Sequence, residues 1–174
     1  MRKKHVRNLT AGCAAFMAAA FVFSAGFSKT AFADEADKTT LVYGSTDYTR
    51  INPAMDEHCE INVLLFDGLT DHDGDNQIIP RLAKSWEYDE ENLTYTFHLE
   101  EGVKWHDGEP FTAEDVKFTF EAIMDPANES ENAPDYEDIE SIEVIDEHTV
   151  TFHLSNVNTA FLEYMTKPVM PKHL

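Results

Sequence analysis

"LTYTFHLEEGVKWHDGEPFTAEDVKFTFEAIMDP", residues 93–126, decides the fold. Its first seven residues alternate, with Leu93, Tyr95, Phe97 and Leu99 on one side and Thr94, Thr96 and His98 on the other. A period of two belongs to a half-buried strand, so His98 is expected on the solvent face. From Thr112 the period changes: Val116, Phe120, Ile123 and Met124 share one face at helical spacing. Thr112 stands at the cap position, and Asp115 three residues on makes an approximate capping box. Glu114 and Asp115 fall in the first turn, where the helix dipole favours anions. Asp125-Pro126 stops the helix. Between strand and helix, Asp107-Gly108 signals a turn and Pro110 allows an extended step. Strand, turn and helix in one stretch predict a mixed α/β (α+β) fold.

The same stretch raises a chemical question. Trp105, His106, Asp107, Glu109, Glu114 and Asp115 crowd into a short span. One reading is a metal-assisted hydrolase using His106 and Asp107. The other is a turn and a helix start, with Trp105 packing and no chemistry. The wider sequence favours the second. There is no HExxH and no CxxC pair. His148 and His153 are separated by a hairpin turn and its strand, and His58 adjoins Cys59, where helical neighbours diverge. No convergent metal-ligand set is expected. Neither a GxSxG elbow nor a Ser–His–Asp set is present. Beyond residue 33 the only glycines are 44, 68, 74, 102 and 108, too few for a phosphate cradle. With 33 Asp and Glu, some carboxylate pair will always be close, so such a pair is no sign of a glycosidase. No cofactor is expected.

Outward from this core, "SWEYD" reads as a strand before the turn "EEN", and "DHDGDNQ", 71–77, as a hairpin turn. Asp71, Asp73 and Asp75 alternate as in a calcium loop, but Asn76 stands where that loop needs Gly and Leu82 where it needs Glu. "HCEINVLLFDGL" places Ile61, Leu64, Leu65 and Leu69 at helical spacing, with Gly68 to end the helix. "TLVYGST", 40–46, is a strand, and Pro53 marks the turn after it. "ANESENAPDYEDIE", 127–140, reads as a long acidic loop. "SIEVIDEHTVTFHL" is a hairpin in which Ile142, Val144, Val150, Phe152 and Leu154 alternate around "DEH". "NTAFLEYM" is a short helix, and "KPVMPKHL" is extended.

The net charge of −20 is unevenly spread. Residues 1–33 carry five Lys and Arg and no acid, which leaves 8 Lys/Arg against 33 Asp/Glu in residues 34–174. Such a surface repels phosphate backbones, so no nucleic-acid partner is expected. "MRKKHVRN" followed by the uncharged run 9–27 and Ala31-Phe32-Ala33 reads as a secretory signal peptide, with cleavage between Ala33 and Asp34. An uncleaved membrane anchor is the alternative reading of that run. Cys13 reads as an ordinary residue of the apolar run, since most of that run follows it, although "LTAGC" looks somewhat like a lipoprotein box. Only Cys59 then remains after cleavage, so no internal disulfide is expected, and Cys59 is read as a small buried hydrophobe over a reactive thiol.

"INPAMDE", "LLFDGLT", the block from "IIPRLAKSWEYD" to "FEAIMDP", "TVTFHL" and "PKHL" follow one another in order. In these the chain resembles the N-terminal part of the bacterial extracellular solute-binding proteins of family 5, the oligopeptide-, dipeptide- and nickel-binding subunits of ATP-binding-cassette (ABC) importers. The resemblance covers residues 40–174 and is most specific over 80–126. It implies the N-terminal part of a periplasmic-binding-protein-like (type II) two-lobe fold, incomplete here, because members are several times longer. Residues 34–55 would hold the first strand of lobe I, and 56–174 a smaller flanking domain with the start of the return to lobe I. The implied partners are a peptide or similar small solute and membrane permease subunits, for a monomeric protein that is periplasmic or at the cell surface. Edges of the ligand cleft are implied at Ser45, Thr46, Asp47 and Tyr48, at the loop around Pro134 and Tyr136, and at Lys167. A structural interaction module is the remaining alternative.

Overall fold

The computed structural model describes residues 52–55 and 61–174. The expected strand at 40–46, the signal segment with Ala33 and Asp34, Ser45 to Tyr48, His58 and Cys59 lie outside the described residues.

Four strands form an antiparallel sheet: β3 (Ala83–Asp89), β4 (Thr94–Leu99), β6 (Thr149–Leu154) and β5 (Ile139–Asp146), in that spatial order. A two-stranded hairpin precedes it in the chain, β1 (Thr70–His72) with β2 (Ile78–Pro80). Helix α2 (Ala113–Met124) packs on β5 and β6 of the sheet, and the chain also forms two single-turn helices, α1 (Asn62–Leu65) and α3 (Phe161–Tyr164). The alternation read from residues 93–99 sets the sheet's two faces. Phe97 and Leu99 point inward and are fully buried, while His98 is half-buried on the outer face, with Glu87 4.0 Å away. Thr96 and Thr151 meet on that outer face at 3.0 Å.

The inner face is aromatic. Phe152 sits at its centre, with Phe97 at 5.6 Å, Phe161 at 5.6 Å and Phe120 of α2 at 5.3 Å, all edge-on. Edge-to-face contact suits the ring quadrupoles, and these four buried rings supply much of the apolar burial that holds helix to sheet. The Glu147-His148 turn between β5 and β6 joins the layers through the backbone. Its carbonyls accept from Ala113 N at 2.9 Å and Leu99 N at 2.8 Å.

Two expectations are corrected. The helix read over 61–69 closes at Leu65, with Phe66 already extended. Gly68 and Leu69 lie beyond it because tertiary pairing wins over periodicity: Leu69 N and Thr70 N both donate to Met165 O, and Val169 N donates to Asp67 O. The backbones approach so closely there that a Cβ at position 68 would stand 2.5 Å from Thr166 O. The stretch 127–140 is not an open loop. It holds two 3-10 turns, Pro126–Asn128 and Ala133–Tyr136, and β5 starts within it at Ile139. Asp125 Oδ1 caps the first turn by accepting from Ala127 N, and the Ser130 hydroxyl donates to Ala54 O. Among the described residues no helix is long and apolar enough to cross a membrane.

Candidate functional site

Of the crowded carboxylates of 105–115, Asp107, Glu114 and Asp115 are held by the fold. Gly108, at φ 96°, turns the chain, with Gly108 N bonded to Trp105 O and Trp105 N to Glu109 O. Asp107 Oδ1 accepts from Glu109 N inside this turn. Its Oδ2 stands 2.7 Å from His173 Nε2, and that bond holds Asp107 below the usual carboxylate range and raises His173. Asp115 is 4% exposed. Its Oδ2 accepts from Thr112 N at 2.8 Å and lies 3.4 Å from Trp105 Nε1, and its Oδ1 accepts from Lys172 N at 2.8 Å. Glu114 takes the Lys172 ammonium at 2.8 Å, which lowers its pKa. Trp105 packs edge-on against Phe111 at 5.9 Å. His106 is exposed at the rim of two small apolar hollows. Asp107 therefore serves His173 and the turn, and among the described residues no three His, Cys, Asp or Glu converge for a metal.

A different site collects the sequence-based candidates that can be seen. Tyr136 and Lys167 line one cleft of about 370 Å³, together with Asn62, Asp135, Glu163 and Tyr164. α1, the 3-10 turn Ala133–Tyr136, and α3 with the run that follows it build the cleft. Tyr136 is buried and donates from its hydroxyl to Tyr164 O at 2.9 Å. Burial raises its pKa far above the usual phenol range, so the hydroxyl stays a donor. Lys167 Nζ donates to Asn132 Oδ1 at 2.6 Å, which places an ammonium on the cleft wall. Three buried polar atoms have no hydrogen-bond partner among the described residues: Oδ1 of Asn62, a residue of the cleft wall, Nδ2 of Asn132, behind Lys167, and Nδ1 of His148, in the turn between β5 and β6 and outside the cleft. Across the rim, Glu163 Oε2 bonds His72 Nε2 at 3.0 Å.

The structure thus brings Tyr136 and Lys167 to one surface. Pro134 is exposed on the same 3-10 turn and is not part of the cleft wall. Asn62, Asn132, Glu163 and Tyr164 were not singled out from the sequence. They come from segments far apart in the chain, and no local spacing marks them. A second, larger hollow of about 590 Å³ is apolar, walled by Met55, Phe66, Phe118, Ala122, Met170 and Leu174.

Residues 77–173 match the family described as bacterial extracellular solute-binding proteins, family 5, middle region. Di/tripeptide-binding protein 1 of Pseudomonas aeruginosa is 37% identical over 122 residues, covering 60% of this chain and 23% of that protein. A putative ABC transporter peptide-binding protein of Brucella ovis is 43% identical over 97 residues, covering 55% of this chain and 18% of that one. Among solved structures, NikZ from Campylobacter jejuni in complex with Ni(L-His) matches with a TM-score of 0.71 and 40% identity, over 74% of this chain and 26% of that one. Haemophilus influenzae OppA, complexed with RPPGFSPFR, matches at 0.65 and 25% identity, over 71% of this chain and 28% of that one. The chain therefore spans about a quarter of the length of these relatives. Its helix-and-sheet architecture is part of a type II periplasmic-binding-protein fold. With the family match running through the strand, turn and helix of 93–126, the chain belongs to the family 5 bacterial extracellular solute-binding proteins.

Proposed function

We propose that the chain is part of the substrate-binding component of an ABC importer for peptides or similar small solutes, and that the Tyr136–Lys167 cleft is one edge of its ligand site. The observation that carries this is the cleft itself: Tyr136, Lys167 and Asn62, whose buried amide oxygen has no partner among the described residues, line one hollow on a family member. An extended peptide offers N–H and C=O groups that such an edge can bind, and affinity builds as polar groups converge around the ligand. Ser45, Thr46, Asp47 and Tyr48 are proposed as a further edge, with Pro134 shaping the turn that carries Tyr136. The protein makes and breaks no bond. It hands its ligand to membrane permease subunits, as a monomer and without nucleic acid.

Export is part of the proposal. Residues 1–33 are the signal peptide, cut between Ala33 and Asp34, and the product acts in the periplasm or at the cell surface. Residues 34–55 supply the first strand segment of one lobe, and 56–174 the flanking domain.

One edge of a cleft binds weakly. Titration of dipeptides, and separately of the nickel–histidine complex, into the isotopically labelled chain should move the amide signals of Tyr136, Tyr164 and Lys167 at millimolar ligand. Shifts confined to other surfaces would overturn the site. Saturable submicromolar binding by calorimetry would overturn the claim that this stretch is only one edge.

A further inference from the structure

We infer that the Tyr136–Lys167 cleft takes a basic side chain of the ligand, a lysine ammonium or an arginine guanidinium, in preference to an acidic or an apolar one. The inference rests on the reading of this cleft as a ligand edge and adds the chemistry of the group it holds. Its walls divide into two kinds of surface. Tyr136 and Tyr164 meet edge-on with ring centroids 6.0 Å apart, and Pro168 continues that apolar wall. Asp135 and Glu163 add two exposed carboxylates to the same lining. A long basic side chain is built the same way, with an apolar stem and a charged head that stays wet. The stem packs along the tyrosine and proline surface, where an aromatic ring also attracts a cation, and the head reaches the carboxylates.

The carboxylates have capacity left. Glu163 gives Oε2 to His72 at 3.0 Å, and its Oε1 has no partner among the described residues. The Asp135 carboxylate makes no ion pair among them either. Asn62, 4% exposed on the same wall, carries a further acceptor, the Oδ1 that no donor meets. What this edge lacks is donors, and an ammonium or a guanidinium carries nothing else. One cation stands against this, Lys167. Its Nζ is drawn to Asn132 Oδ1 at 2.6 Å, and two carboxylates outnumber it. The wider surface works in the same direction: residues 34–174 hold 8 Lys and Arg against 33 Asp and Glu, a field that draws cationic ligands in.

Three tripeptides with blocked termini, differing only in a central lysine, glutamate or leucine, separate the possibilities. Each is titrated at low ionic strength into the isotopically labelled chain, following the amide signals of Tyr136, Tyr164 and Lys167. The lysine peptide should bind about tenfold more tightly than the glutamate peptide, because the same two carboxylates attract one head and repel the other. The leucine peptide should fall between them. Glu163→Gln and Asp135→Asn, both at exposed positions, should each narrow the lysine-to-glutamate ratio. Glu91→Gln, in the β3–β4 turn outside the cleft, should not. Equal affinities at the cleft, or a preference for glutamate or leucine, overturn this inference and leave the cleft standing as a ligand edge. A ratio that Glu91→Gln narrows as much as Glu163→Gln also overturns it, since the preference then belongs to the overall charge. If no peptide moves the cleft signals, both this inference and the reading beneath it fall.

Discussion

The carboxylate cluster around Asp107 and Asp115 and the cleft around Tyr136 and Lys167 draw on the same kinds of residue, yet their polar atoms end in different states. In the first, Asp107 and Asp115 both spend two oxygens on partners: backbone N–H groups, the Trp105 indole and the His173 ring. In the second, a buried amide oxygen and a buried amide nitrogen find no partner among the described residues. A buried polar group without a hydrogen bond costs free energy, so it marks a place where something else completes the structure. A dense run of ionisable residues marks only where the chain turns. The contrast is one of degree: both orphaned amide atoms lie at or behind the cleft, with a third orphan, His148 Nδ1, in the β5–β6 turn, whereas Asp107 and Asp115 are spent on the turn and the helix start.

The largest effect is expected where the two regions share a joint. Residues 165–169 carry Lys167 to the cleft and lead on to Lys172 and His173, which meet Asp115 and Asp107, and they pair with Asp67, Leu69 and Thr70 through the backbone. Gly68→Ala would drive a Cβ to 2.5 Å from Thr166 O and 2.9 Å from Met165 O, both main-chain atoms that cannot swing aside. The expected loss is about 3 kcal/mol or more. Urea unfolding reads it directly, and a variant as stable as the parent would show that the joint is not shared.

Asp115→Ala follows. It strips the cap from Thr112 N and the acceptor from Lys172 N together, in a site 4% exposed. A cap and a buried charge-assisted bond together predict about 2 kcal/mol, with the urea midpoint falling at unchanged slope. Tyr136→Phe is smaller, about 1 kcal/mol, because it leaves the ring packed against Phe120 at 5.3 Å and removes only the bond to Tyr164 O. If Tyr136→Phe cost more than Asp115→Ala, the cleft and not the turn would be the better satisfied region, and the contrast would fail.

The sequence made one of these regions far more legible than the other, for a physical reason. The turn and helix of 105–124 are local: Gly108, Thr112 and Asp115 act within a few residues of one another, and their spacing states their role. The alternation of 93–99 and 150–154 was equally readable and gave the sheet faces, His98 included. Asn62, Asn132, Tyr164 and Lys167 meet only once α1, the 3-10 turn and the run after α3 have folded together, and no period in the sequence links them. His173 was read only as part of an extended tail, because its partner lies 66 residues away. The helix over 61–69 was overextended for the same reason: Met165 O, far along the chain, takes the N–H groups of Leu69 and Thr70.

The smallest effect tests whether the outer layer of the turn region matters at all. Glu114 and Lys172 pair at 2.8 Å with both side chains about half exposed. Exposed ion pairs contribute little, because solvent screens them and holding two long side chains costs entropy. Glu114 is held below its usual range, first by the hydrogen bond from Lys172 and then by its charge. A lowered folded pKa means the contribution is present above the ordinary glutamate range and lost as pH falls through the lowered value. Glu114→Gln should therefore lower the urea midpoint slightly at neutral pH and not at all in acid, once Glu114 is protonated in both states. High salt at neutral pH should shrink the same difference. A difference that survives both acid and salt would mean that Glu114 acts through packing, and that the turn's satisfaction extends further outward than Asp115.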